Sequence, residues 1–189
     1  MITNVRERSF FDEVVAATPG VPNLDSCLQC GTCSGSCPSA PDMDYSPRAL
    51  FALINAGSEE RVLKSNAPWF CVSCYSCMVR CPQDVHITDL MYTLKRMAIK
   101  NGYYRESALP EAPQFSETFI EAVEKYGRSF ELGLFTRYHL RLHPLASFKM
   151  APMGLAMLRK GRLNLTPNKI KNIKQLSAIL DKARSLGGD

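Results

Sequence analysis

The chain has 189 residues, 46% of them hydrophobic, with 23 Lys and Arg against 18 Asp and Glu for a formal charge of +5. That length and apolar content suit one folded domain, or a small domain with helical additions, and exclude a disordered chain or a large multidomain enzyme. No run approaches the roughly 18–20 consecutive apolar residues that span a bilayer, so no membrane insertion is expected.

In chain order, Phe10, Phe11, Val14 and Val15 form an apolar stripe over residues 7–17. The spacing predicts a short amphipathic helix ending near Thr18-Pro19-Gly20. Asp12 and Glu13 interrupt the stripe, which is therefore no signal-peptide core, and a cytoplasmic protein is expected. Cys27, Cys30, Cys33 and Cys37 follow, with Pro38 next, in a segment whose Gly31 and Gly35 suggest loop or turn. Ser46-Pro47 is a helix start and Gly57 a stop, with Leu50, Phe51, Leu53 and Ile54 between them. A second run then places Cys71, Cys74, Cys77 and Cys81 before Pro82.

Thr88 is the expected cap of a helix carrying Leu90, Met91, Leu94, Met97 and Ala98, which ends at Asn101-Gly102. Pro110 to Pro113 has the composition of a linker. Beyond it, helices are expected over 116–126, 129–142, 151–160 and 167–186. The last carries Ile170, Ile173, Ile179, Leu180, Ala183 and Leu186 on one face, leaving Lys169, Lys171, Lys174, Lys182 and Arg184 for solvent or a partner. No alternating Val/Ile/Thr strand flanks either cysteine run. The expected fold class is all-α: an α-helical ferredoxin domain over 21–105, an N-terminal helix within 1–20, and a basic helical extension for subunit docking over 106–189.

The two runs repeat C-x2-C-x2-C-x3-C-P and use all eight cysteines. This is the bacterial-ferredoxin spacing for two [4Fe-4S] clusters, in which three thiolates hold one cube and the fourth, before proline, reaches the other. It assigns Cys27, Cys30, Cys33 and Cys81 to one cluster, and Cys71, Cys74, Cys77 and Cys37 to the other. The proline turns the chain and removes an N–H that would need a partner. In a reducing compartment such thiols are metal ligands rather than disulfides. Structural zinc also takes four thiolates, but two cysteines from each run would suffice for it.

Clusters alter the charge. Each oxidised cube with four thiolates contributes about −2, which brings +5 to about +1 and weakens any case for nucleic acid. Residues 1–94 hold 6 basic against 10 acidic groups, whereas residues 128–189 hold 12 against 3. That asymmetry favours oriented docking. Arg80, between Cys77 and Cys81, is the one cation expected beside a cluster, and Asp25 precedes the first run. Trp69 and Phe70 are read as core cover. His86, His139 and His143 are surplus to eight thiolates, and Met150, Met153 and Met157 read as the buried or partner-facing stripe of a helix. Neither a G-x-G-x-x-G fingerprint nor a Walker A motif occurs, and no ninth cysteine is free to attack a disulfide, so no catalytic residue is assigned.

The chain resembles the C subunit of heterodisulfide reductase. The likeness lies in Cys27-Leu-Gln-Cys-Gly-Thr-Cys-Ser-Gly-Ser-Cys-Pro38, in Cys71-Val-Ser-Cys-Tyr-Ser-Cys-Met-Val-Arg-Cys-Pro82, and in the tail from Gly161 to Lys174. The resemblance implies a non-catalytic subunit that relays electrons through two cubes. The donor would be a flavin-bearing A subunit. The acceptor would be a B subunit with cysteine-rich CCG motifs that reduces a disulfide, in methanogens that of coenzymes M and B. Related complexes run sulfur oxidation. Succinate and fumarate oxidoreductase iron-sulfur subunits share the cysteine pattern, but their plant-type C-x4-C-x2-C is missing here. A reading of another class is a zinc-stapled module that binds nucleic acid through the basic half; the acidic first half argues against it.

Overall fold

The computed structural model describes residues 9–106, 111–142 and 144–186, and for residues 140, 142 and 144–151 the backbone alone. The fold is all-α, with no strand among the described residues. The chain divides into two compact units, Met1–Ala112 and Pro113–Asp189.

The first unit opens with α1 (Phe10–Ala17), shorter than expected; residues 7 and 8 lie outside the described ones. Its start is fixed by a capping box. The Asp12 N–H donates to Ser9 Oγ at 3.3 Å, and the Ser9 N–H donates to Asp12 Oδ2 at 3.3 Å. Phe10 and Val14 are buried in the core, and α1 packs on α3 (Pro47–Asn55) and α7 (Ile87–Lys100). Proline at the first position starts α3, whose Leu50, Phe51 and Ile54 are buried. Two short helices, α4 (Glu59–Leu63) and α5 (Ala67–Phe70), fill the rest of the spacer with buried Val62, Leu63 and Ala67. Neither shows in the sequence, because one turn of helix carries no period to read.

Two of the shortest helices sit inside the cysteine runs, the first of them where loop or turn was expected: α2 (Thr32–Ser36) and α6 (Ser76–Val79), which pack against each other. Further on, α7 is capped at His86 rather than Thr88. Thr88 lies within the first turn and is buried, so the apolar stripe runs back from Leu90 to Ile87.

At the boundary of the two units in sequence, the expected linker is in part helical. Glu111, Ala112 and Pro113 form the first turn of α8 (Glu111–Tyr126), and Pro110 lies outside the described residues. α9 (Glu131–Leu142) and α10 (Pro144–Arg159) lie against each other. α10 begins seven residues earlier than expected and contains Pro152. α11 (Ile173–Ser185) begins later than the Thr166-Pro167 signal. The reason is a tether: the Ile170 N–H donates to the Tyr126 carbonyl at 3.1 Å, which holds the preceding segment on the end of α8. Gly127, at φ +76°, lies where an added Cβ would collide with the Ile170 side chain, so glycine is required twice over.

The α11 face is also narrower than expected. Ile173, Leu176 and Leu180 are half-buried, whereas Ile179 and Leu186 are exposed. Arg184 is not free for a partner, since it pairs with Glu124 at 2.6 Å. Arg137 and Arg141 pair with Glu121 at 3.6 and 3.5 Å, so part of the basic excess is spent on α8. Met153 and Met157 are exposed, and the side chain of Met150 and all of His143 lie outside the described residues.

Candidate metal centres

Two staples bring the cysteine runs together. Before the first run and after the second, the His86 N–H donates to the Pro22 carbonyl at 3.0 Å, and Asn23 Nδ2 donates to the Asp84 carbonyl at 3.1 Å. These bonds hold the entrance to Cys27 beside the exit from Cys81. The second staple joins the exit from Cys37 to the entrance of Cys71 through Asp44. Its Oδ1 accepts from Ser65 Oγ at 2.7 Å, its Oδ2 accepts from the Asn66 N–H at 3.0 Å, and its own N–H donates to Asn66 Oδ1 at 2.9 Å. Each staple sets the fourth cysteine of one run against the first three of the other.

Two cavities of equal size result, each enclosing about 20 Å³ and open to solvent on one side. Cys27, Cys30, Cys33 and Cys81 line one, with Arg48, Phe51, Val85 and Ile87 among its other walls. Cys37, Cys71, Cys74 and Cys77 line the other, with Met43, Pro47, Ile87, Thr88 and Met91. Ile87, 2% exposed, is common to both and forms the partition between them.

The two runs share an unusual backbone. Gln29 and Ser73, before the second cysteine of each run, have φ of 55° and 54°; Gly31 and Tyr75, after it, have φ of 84° and 60°. Left-handed conformations at non-glycine residues cost about 1–3 kcal/mol each and persist where function requires them. They belong to the turns from which main-chain amides form anion-binding nests, common at iron-sulfur sites. At Gly31 an added Cβ would also meet Arg48 Cδ at 3.4 Å, so this cradle closes against a cation.

The thiols within each run are unlike. Cys30 and Cys74 are exposed, and hydrogen bonding from Thr32 and Ser76 respectively holds their pKa below the usual thiol range. Cys33 and Cys77 are half-buried, and desolvation pushes theirs up. Further donors reach sulfur at Cys27, from Gln29 Nε2 at 3.6 Å, and at Cys81, from the Val85 N–H at 3.4 Å. In the cluster-free chain near neutral pH, iodoacetamide is expected to alkylate Cys30 and Cys74 first and Cys33 and Cys77 last, since the thiolate is the nucleophile. Peptide mapping over a time course checks this, and T32A is expected to slow Cys30 severalfold. Equal rates at all eight positions would contradict it.

The site also departs from the sequence reading. Arg80 lines neither cavity; its Nη1 donates to Ser36 Oγ at 3.3 Å, joining α6 to α2. The cation at the first cavity is Arg48, 15 residues after Cys33 and carried there by α3. His86 stands at the N-cap position of α7 with Nδ1 3.3 Å from Asp89, and the His139 ring lies tilted against Phe135 with centroids 4.2 Å apart, so neither joins a cavity. Trp69 packs against the core, as expected.

Residues 23–85 match the model of a 4Fe-4S dicluster domain. Over 97 residues the chain is 37% identical to the C subunit of the H(2):CoB-CoM heterodisulfide,ferredoxin reductase of Methanothermobacter thermautotrophicus, covering 51% of each chain. It is 37% identical over 99 residues to the iron-sulfur C subunit of the CoB--CoM heterodisulfide reductase of Methanopyrus kandleri, covering 52% of each. The cluster-bearing half of the chain is similar to heterodisulfide reductase C subunits. A third relative, the C subunit of the Ferredoxin:CoB-CoM heterodisulfide reductase of Methanosarcina mazei, is 39% identical over 98 residues, 51% of this chain and 56% of that protein. The chain thus spans about half the length of the curated relatives it matches. As a homologue of these C subunits with eight cysteines at this spacing, it is an iron-sulfur protein that takes two [4Fe-4S] clusters. The residues present fit that cofactor: two equal cavities, four sulfurs lining each, and cradles of left-handed backbone. No helix among the described residues is long and apolar enough to cross a membrane.

Proposed function

We propose that this chain is the electron-relay subunit of a heterodisulfide reductase-type complex, taking electrons from a flavin-bearing A-type subunit and passing them to a CCG-containing B-type subunit. The observation that carries the relay is the pair of four-cysteine cavities divided by one side chain, Ile87. Cys27, Cys30, Cys33 and Cys81 hold one cluster in this reading, and Cys71, Cys74, Cys77 and Cys37 the other. When bound, each cube accepts and releases one electron. The protein supplies the rest. Phe51, Ile87, Thr88 and Met91, all buried, keep water from the inner faces, while Cys30 and Cys74 bring an outer corner of each site to the surface. Two exposed corners suit one entrance and one exit. Exposed Leu28 and Val72 occupy the same place in each run, between its first and second cysteines, and offer apolar contact there.

The proposed domain roles follow: α1 completes the core of the cluster domain, and the basic second unit docks the subunits. The chain's own surplus of thiols is nil, so disulfide reduction belongs to the partner. Anaerobic affinity purification of the full chain from its own cells is the test. Recovery of a flavoprotein together with a CCG protein is the expected result, and a succinate-oxidising or fumarate-reducing flavoprotein recovered in their place would overturn it.

A further inference from the structure

α7 carries a second cation toward the cysteines. Lys95 is half-buried, and among the described residues it forms no ion pair with any carboxylate. Its ammonium lies 6.0 Å from the Trp69 ring centroid and 5.3 Å from that of Tyr92. Both rings border the second cysteine run. Trp69 is two residues before Cys71, and Tyr92 Oη shares a 2.7 Å hydrogen bond with Ser73 Oγ, between Cys71 and Cys74. The charge that Lys95 does feel is the Cys71 thiolate; burial alone pulls its pKa down, and Cys71 opposes that pull. A desolvated ammonium with no carboxylate is costly unless a negative group stands by it.

We propose that Lys95 is the fixed counter-charge of the cluster on Cys71, Cys74 and Cys77, and that it keeps this cluster the more easily reduced of the two. One-electron reduction takes such a site from about −2 to about −3 with no proton needed. A nearby cation favours the more negative state, and local charge is one of the levers on cluster potential. The first cavity has Arg48 in its wall, but Arg48 is exposed and its charge is screened by solvent, whereas that of Lys95 is screened much less. The Trp69 and Tyr92 rings hold the ammonium beside the second cysteine run. Electrons entering at the Cys27 side would therefore settle on the Cys71 side.

The inference rests on Cys71 being a cluster ligand, and the test separates the two. Holoprotein is titrated anaerobically with dithionite and followed by EPR, with the Cys71-side signal identified as the one whose line shape changes in C74S. K95Q and K95M are each expected to lower the reduced-to-oxidised ratio of that cluster about tenfold at fixed potential, about 59 mV for a one-electron couple. K95R is expected to retain the wild-type value, and R48Q to move the other cluster by less than threefold. Unmoved midpoints in K95Q or K95M at about eight irons per chain would overturn the inference. Iron loss in both variants would overturn it too, by making Lys95 an assembly residue. Full iron in C71A would instead sink the ligation on which it rests.

Discussion

C33A and C81A are expected to lose the same cluster, and C37A and C77A the other, although each pair is drawn from opposite runs. Anaerobically purified protein is expected to fall from about eight irons to about four in every single variant. The double variant C33A/C81A is expected to stay at about four, whereas C33A/C77A is expected to lose both clusters. The pairing follows from the two staples. Pro22 and Asn23 hold the chain before Cys27 against Asp84 and His86, just past Cys81. Asp44 holds the chain after Cys37 against Ser65 and Asn66, just before Cys71. Were each run to bind its own cluster, C33A/C37A would keep about four irons and C33A/C81A would lose all. The two outcomes are opposite, so iron and labile-sulfide assays on these doubles decide between them. Mixed occupancy of the variant site by zinc would show in the same metal analysis.

The chemistry was legible because the ligands are marked by identity and spacing: eight cysteines at a repeated interval need no fold to be recognised. The second layer was not legible in this way. Arg48 and Lys95 are ordinary basic residues in helical patterns, and only the packing of α3 and α7 brings them near sulfur. Arg80, between two ligands in sequence, bonds to Ser36 of α2 instead. Nearness along the chain is a poor guide when the backbone reverses at left-handed residues such as Gln29, Ser73 and Tyr75. The short helices α2 and α6 escaped for a related reason. α2 consists of Thr, Cys, Ser and Gly, which have little helix propensity, α6 is a single turn, and the tertiary surroundings fold them. The longer elements α1, α3 and α7 were visible from their apolar periods, with errors at the ends. At α11 the Thr166-Pro167 start signal lost to the tether between Ile170 and Tyr126.

The shift of the α7 cap from Thr88 to His86 has a measurable consequence, because one of the two helical residues it adds, Ile87, supplies the partition between the cavities. Ile87 is the first residue of the helix and stands four before Met91 and seven before Leu94, so it continues the buried stripe of α7 up to the cysteines. I87A removes most of a buried aliphatic side chain and opens the two sites to each other. Such a change costs about 2–5 kcal/mol, the transfer of the lost methyl groups plus the void they leave. Here the void adjoins both cavities, so neither side of the wall can collapse without moving sulfur. The melting temperature of the holoprotein is expected to drop by several degrees, and both clusters are expected to bleach faster in air. I87V is expected to cost only about 0.5–1.5 kcal/mol and to leave bleaching near the wild-type rate. The contrast with Val72 isolates the role of the partition. Val72 lines the second cavity as well but is 64% exposed, so V72A removes little buried surface and is expected to leave both the melting temperature and bleaching of the first cluster unchanged. An I87A protein whose two clusters bleach at the wild-type rate would show that Ile87 does not shield them, and would leave the close placement of the cavities without its proposed wall.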